Sequence, residues 1–193
     1  MTFPRVAVIT PTWQRNDVLL ERCIPSVATQ DYPNVEHIVI SDGPDDALRA
    51  TLSTDDRVTY LDMLTHDPDA RWGHWARLAG IEATTAQYIA YLDDDNSFRP
   101  NHVSTLMTAL QAQPLSGYAY SRMVLHCGGG AVIGQPVPRY GQIDTSMILH
   151  RRSILDTATW TQSLPTIDWD LVERWMQAGI GWAYAPVITS DKF

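Results

Sequence analysis

Val6 to Thr10 reads Val-Ala-Val-Ile-Thr, an unbroken apolar and β-branched run rather than the in-and-out alternation of a strand with one wet face. Such a run is a strand buried on both faces, the kind found where helices cover both sides of a parallel sheet. Pro11 is expected to stop it. Asn16 or Asp17 then caps a helix predicted to reach about Thr29, Tyr32-Pro33-Asn34 makes a turn, and Val35 to Ser41 gives a second strand ending at Asp42-Gly43-Pro44. The opening pattern is β-α-β.

The alternation continues through a short helix over Ala47 to Leu52, a strand over Arg57 to Leu61, a helix over Trp75 to Thr84, a strand over Tyr88 to Leu92 and a helix over Pro100 to Ala112. The second half is less regular. Tyr118 to Leu125 and Thr145 to His150 read as strands, Gly128-Gly129-Gly130 as a flexible segment and Pro136 to Tyr140 as a loop. Asp168 to Ala178 places Leu171, Val172, Trp175 and Met176 on one helical face, with Gly179 or Gly181 closing it. Trp182 to Ile188 is the last strand, where Pro186 favours an edge or a bulge. The 193 residues suffice for one core, so the expectation is a single α/β domain over 1–193 with a mostly parallel central sheet flanked by helices.

Three acids, Asp93-Asp94-Asp95, end the apolar strand Tyr88 to Leu92. Open α/β sheets bind ligands at the C-terminal edge of their strands, and clustered carboxylates there repel one another unless a cation relieves them. That points to metal-assisted chemistry on a phosphate-bearing substrate, with Mg²⁺ or Mn²⁺ as cofactor. A solvated turn or a helix cap is the simpler structural use of such acids. The net charge is −8, with 18 Asp against 4 Glu and 13 Arg against the single Lys192. So acidic a chain is a poor sequence-independent nucleic-acid binder, which needs a basic footprint. Cys23 and Cys127 lie too far apart for a C-x-x-C site, no signal peptide is visible, and no stretch of ~18 apolar residues could span a bilayer. A cytoplasmic protein is expected.

The stretch Val6-Ala-Val-Ile-Thr-Pro-Thr-Trp-Gln-Arg15 resembles the opening of the GT-A-fold glycosyltransferases of the large family 2 type. The resemblance continues through Pro25 to Pro33, Ile38 to Gly43, Ala76-Arg77 with Gly80-Ile81, and Tyr88 to Asp95, where the family carries its D-x-D motif. It implies a Rossmann-like fold whose first half, about 1–100, binds a nucleotide-diphospho-sugar, and whose second half, about 101–193, binds the acceptor. Donor residues implied are Thr10, Pro11 and Thr12 against the base, Asp42 accepting from a uracil ring N–H, Arg77 with Arg15 and Arg71 toward phosphate, and Asp93 or Asp94 on ribose. Metal would be held by Asp95 with Asp93, and Asp191 would stand in for the late His of the family.

Ile167-Asp168-Trp169-Asp170-Leu171 resembles the family's acidic segment and makes Asp168 the base of an inverting transfer, with Ile167 where Glu is usual. Asp168 also suits a helix N-cap. Trp169 and Asp144 are the acceptor-side candidates. Trp175 and Trp182 are expected in the core, and Trp13 beside the donor. The implied activity is hexosyl or N-acetylhexosaminyl transfer, most simply from a UDP-sugar, to a hydroxyl of unidentified class, with a homodimer left open. A sugar nucleotidyltransferase is the first rival, but the Gly-rich, Lys-containing loop it should carry after the first strand is missing from Thr10 to Arg15. A catalytically silent sugar-nucleotide or glycan-binding module is the second.

Overall fold

In the computed structural model, which describes residues 2–66, 68, 73–161 and 167–193, the first apolar run becomes strand β1 (Val6–Thr12) near the middle of one sheet. Arg71 lies outside the described residues. Val6 and Val8 pack into the core on one face, Ala7 and Ile9 into the cores on the other, and all four are fully buried. Both faces are therefore dry.

β1 pairs in parallel with β2 (Val35–Ser41) along its whole length, β2 pairs with β3 (Val58–Asp62), and the far side of β1 pairs with β4 (Tyr88–Tyr91) only as far as Ile9. β1 thus runs through Pro11, past the expected stop. Alternate residues of a parallel strand address opposite neighbours: Ile9 accepts from Leu92 N–H on the β4 side, and Thr12 from Asp42 N–H on the β2 side. Pro11 therefore turns its missing donor toward the side that β4 has already left.

The expected helix from Asn16 is continuous but not uniform. α1 (Asn16–Val18) passes into a π-helical turn over Leu19–Cys23 and then α2 (Ile24–Ala28). Pro25 inside it would crowd the carbonyl four residues back, and the wider turn gives it room. The remaining helices are α3 (Asp46–Leu52), α4 (His74–Glu82), α5 (His102–Ala112) and α6 (Ile167–Gln177). The remaining strands are β5 (Ser97–Phe98), β6 (Ser116–Leu125), β7 (Ala131–Ile133), β8 (Ile148–Arg151) and β9 (Gly181–Lys192).

Strand order is β3-β2-β1-β4-β8-β6-β9-β5, with β7 on β6. Among the described residues β1, β2, β3, β4, β6 and β9 run one way and β5, β7 and β8 the other, so the sheet is mixed and mostly parallel. Thr145–Met147, expected as the start of a strand, is a 3₁₀ turn whose N-cap Asp144 accepts from Ser146 N–H at 2.9 Å. Pro186 falls in a bulge: the β6–β9 register jumps from Tyr120 opposite Tyr184 to Arg122 opposite Ile188. Trp175 is buried as expected, but Trp182 is only half-buried, its indole N–H donating to Pro136 O at 3.0 Å. No described helix is long and apolar enough to cross a membrane.

α4 lies so close on β1 that a Cβ at Gly80 would stand 2.5 Å from Ile9 Cγ2. Gly80→Ala gains about 1 kcal/mol of helix propensity but overpacks a fully buried strand, which costs about 1–3 kcal/mol. The expected net is a loss of up to about 2 kcal/mol, seen as a lower denaturant midpoint with an unchanged slope.

Candidate active site

Parallel strands end together, so the C-terminal ends of β1, β2, β4 and β9 meet at one edge of the sheet, and the antiparallel β8 begins there. The edge gathers Thr12 at the end of β1 and Arg15 beyond it, Asp42 after β2, Asp93 to Asp95 after β4, Asp144 before β8 and Lys192 at the end of β9. The expected ligand edge and the acidic strand end coincide.

Each of the three acids has a different setting. Arg77, on α4 and itself buried, donates to Asp93 Oδ1 at 2.6 Å, with its guanidinium 5.0 Å from the Trp160 ring centre. Asp94 is buried between Thr12 Oγ1, at 2.8 Å, and Arg15 Nη1, at 3.2 Å. Asp95 is one-quarter exposed, as is Asp93, and meets Arg15 Nη2 at 2.7 Å while Arg22 holds its backbone carbonyl. Burial, opposed by Thr12 and Arg15, pushes the Asp94 carboxyl up to about 6. Burial also raises Asp93, against the pull of Arg77. The cluster favours an added cation.

Arg15 follows Gln14, whose φ of 53° is an uncommon conformation for a residue with a side chain. Such backbone concentrates at functional turns, and here it brings the guanidinium back over the acidic strand end. On the other flank Asp42 is buried, and His66 Nδ1–H reaches its carbonyl at 2.9 Å and its carboxylate at 3.2 Å. The His66 ring stacks on Trp13 at 4.3 Å, and Gly43 leaves space for that indole, since a Cβ there would lie 2.7 Å from Trp13 Cζ3. Thr10 turns inward instead, its hydroxyl on buried His37 at 2.9 Å, whereas half-buried Pro11 sits at the rim.

Across the cleft, Asp168 lies in the first turn of α6, where its Oδ1 accepts the Trp169 N–H at 2.8 Å. Burial and the nearby Asp144 push its carboxyl up to about 6. Asp144 has one oxygen on the 3₁₀ turn and the other on Lys192 Nζ at 2.5 Å, so its carboxylate is committed to positioning rather than presented to an acceptor. Lys192 is raised to about 12: burial opposes its charge, and Asp144, Asp93 and Asp168 outweigh that. Trp169 remains half-buried against the core beneath α6.

Asp191 is not brought to the acidic cluster. It accepts from Arg99 through both oxygens, at 2.9 and 3.1 Å, and from His126 at 2.9 Å, and these partners hold its carboxyl below the usual range. Adjacent strand residues face opposite sides, so when Asp191 faces Arg99 it is Lys192 that faces the cleft. Among the described residues no three His, Cys, Asp or Glu side chains gather closely enough to hold a metal alone.

Residues 7–153 match the sequence family described as "Glycosyl transferase family 2". The chain belongs to glycosyl transferase family 2. Among curated relatives of this family 2 chain, the GalNAc(5)-diNAcBac-PP-undecaprenol beta-1,3-glucosyltransferase of Campylobacter jejuni is 29% identical over 123 residues, 61% of this chain and 37% of the relative. The glycosyl transferase WcaA of Escherichia coli is 28% identical over 165 residues, 82% and 57% of the two chains. The chain thus spans less than two thirds of the length of these relatives. S. aureus TarS superposes with a TM-score of 0.77 at 14% identity, over 97% of this chain and 36% of TarS. The mannosyltransferase PcManGT from Pyrobaculum calidifontis, solved with GDP-Man and Mn²⁺, gives 0.76 at 15% identity, over 100% of this chain and 57% of its own. The shared architecture is the GT-A fold.

Several residues of this family 2 site lay outside the sequence reading: His66, Arg22, Ser146 and Lys192. Ser146 Oγ accepts from Asp93 N–H at 3.3 Å and from Asn96 Nδ2 at 3.1 Å, tying the acidic strand end to the β8 turn. Lys192, as the single lysine of an Arg-rich chain, carried a signal that composition alone displayed.

Proposed function

We propose that this domain transfers a sugar, with inversion, from a nucleotide-diphospho-sugar to an acceptor hydroxyl. The observation that carries the reading is the shared cleft: Asp168 is electrostatically coupled to Asp93 and Asp144, so a basic carboxylate faces the acids at the donor end. The acceptor O–H gives its proton to Asp168 as the oxygen attacks the anomeric carbon. The bond from that carbon to the phosphate oxygen breaks, and its electron pair leaves with the diphosphate. Asp42 accepts a ring N–H of the base, which suits uracil, and Thr12 and Arg15 keep Asp94 in place beneath the ribose.

A divalent metal fits the donor set. The acids are hard oxygen ligands, two of them raised by burial, and Asp93 and Asp95 each keep about a quarter of the side chain exposed, more than Asp94. Asp95 with Asp93 would hold Mg²⁺ or Mn²⁺, with diphosphate and water completing a shell that Mg²⁺ ordinarily leaves partly hydrated. Bound there, the ion supplies Lewis-acid stabilisation of the departing diphosphate.

The test is thermal denaturation with UDP-hexoses, UDP-N-acetylhexosamines and GDP-mannose, each with and without Mn²⁺. A UDP-sugar at 100 times its Kd should stabilise the fold by about 2.7 kcal/mol, with a larger shift when Mn²⁺ is present. Failure of every nucleotide sugar to raise the midpoint would overturn the reading. Binding without release of nucleoside diphosphate in the presence of acceptor mixtures would favour a silent binding module.

A further inference from the structure

The end of β9 carries a cation into a cleft otherwise rich in carboxylates. Lys192 stands opposite Leu125 in the β6–β9 register, and its Nζ is 2.5 Å from Asp144 Oδ2. Asp144 is 6% exposed, with its other oxygen fixed on Ser146 N–H. The ammonium therefore has a rigid seat, yet its own side chain remains 37% exposed. An ammonium has three donors, and the seat on Asp144 uses one, so others can serve an anion.

The charge of Lys192 acts on both Asp93 and Asp168. In the proposed reaction these acids mark the two ends of the path, the leaving diphosphate at one and the attacking hydroxyl at the other. A cation felt by both lies near the bond that breaks. Five carboxylates, those of Asp93, Asp94, Asp95, Asp144 and Asp168, share this cleft with Arg15, Arg77 and Lys192. Arg77 is buried on Asp93, Arg15 is drawn between Asp94 and Asp95, and Arg22 is held by the Asp95 carbonyl and the Phe193 ring, while Lys192 is the cation seated on Asp144.

Resting on the donor-site reading above, we propose that Lys192 is a donor-phosphate residue: its ammonium, seated on Asp144, binds the β-phosphate and stabilises the negative charge of the leaving diphosphate. A permanent protein cation then shares that work with the divalent metal, so nucleoside diphosphate affinity persists in part when metal is withdrawn. A purely structural Lys192 would only neutralise Asp144.

The deciding variant is the double Asp144→Asn/Lys192→Met, because Lys192→Met alone would leave Asp144 buried without its partner. Calorimetric titration of UDP, UMP and GDP into wild type, the double variant and Lys192→Arg, in EDTA and in Mn²⁺, separates the roles. In EDTA the double variant should bind UDP about 10- to 100-fold more weakly, the scale of a charge-assisted hydrogen bond, with UMP affinity little changed. Lys192→Arg should retain most of the UDP affinity, and Mn²⁺ should narrow the deficit. UDP affinity in the double variant equal to wild type in EDTA overturns the proposal, as does an equal loss for UMP and UDP. Wild type that binds neither UDP nor GDP in either condition overturns the donor-site reading itself.

Discussion

Asp168→Asn should lower turnover by about 10²- to 10⁴-fold, the usual scale of general-base catalysis, while leaving the affinity for the sugar nucleotide within about threefold. The asymmetry follows from placement. In the proposed reaction Asp168 faces the donor acids from α6, on the acceptor side, and Asn keeps its volume and an oxygen for the Trp169 N–H. What Asn cannot do is take a proton. Burial and the neighbouring Asp144 hold the Asp168 carboxyl at about 6, so it is ionised at neutral pH and more basic than an ordinary aspartate. The sign is fixed: kcat/KM should fall about tenfold for each pH unit below about 6, where the base is protonated, and level off above. Asp94 is also held at about 6, and coupled groups titrate together, so the limb is assigned by its disappearance in the Asp168→Asn variant. Near-wild-type turnover in Asp168→Asn would remove it as the base.

Much of this placement was legible because it follows from period and direction. Runs such as Val6 to Thr10 and Tyr88 to Leu92 lack a wet face, so they had to be covered strands. Parallel strands then bring Asp42 and Asp93 to Asp95 to one edge without any knowledge of side-chain contacts. Harder to see was anything set by local irregularity. Pro11 reads as a stop in sequence, and only the early departure of β4 makes it harmless. The bulge at Pro186 breaks the two-residue period within β9, so side-chain direction after it cannot be counted from Trp182. Asp191 was expected at the metal only as a stand-in for the late His of the family, and it is Lys192, its neighbour on the strand, that turns to the cleft. His66 belongs to no periodic element and reaches Asp42 by chain path alone. Arg77 could equally have been a solvated arginine on a helix face, and its burial under Trp160 became visible only once α4, β4 and the segment at Trp160 were packed together.

Arg77→Met should cost about 3 kcal/mol of folding stability, the low end of the range found when one partner of a buried ion pair is removed, because Asp93 keeps about a quarter of its side chain exposed. The guanidinium donates to Asp93 at 2.6 Å and is 4% exposed on its side chain, so water cannot replace it in place. Met fills similar volume and keeps contact with the Trp160 ring, which confines the loss largely to charge. Asp93 is then left in a cleft with Asp94, Asp95 and Asp144, and its carboxyl, already raised by burial, loses the strongest pull holding it down. A folded-state acid raised above its unfolded value binds more protons in the folded state, so stability falls as pH rises through the window between the two. The deficit of Arg77→Met should therefore be larger at pH 8 than at pH 5, and Asp93→Asn in the same chain should recover part of it. Urea denaturation of the three chains at both pH values is the measurement. A deficit below about 1 kcal/mol at pH 8 would mean that Lys192, which also acts on Asp93, carries the charge balance that the geometry assigns to Arg77.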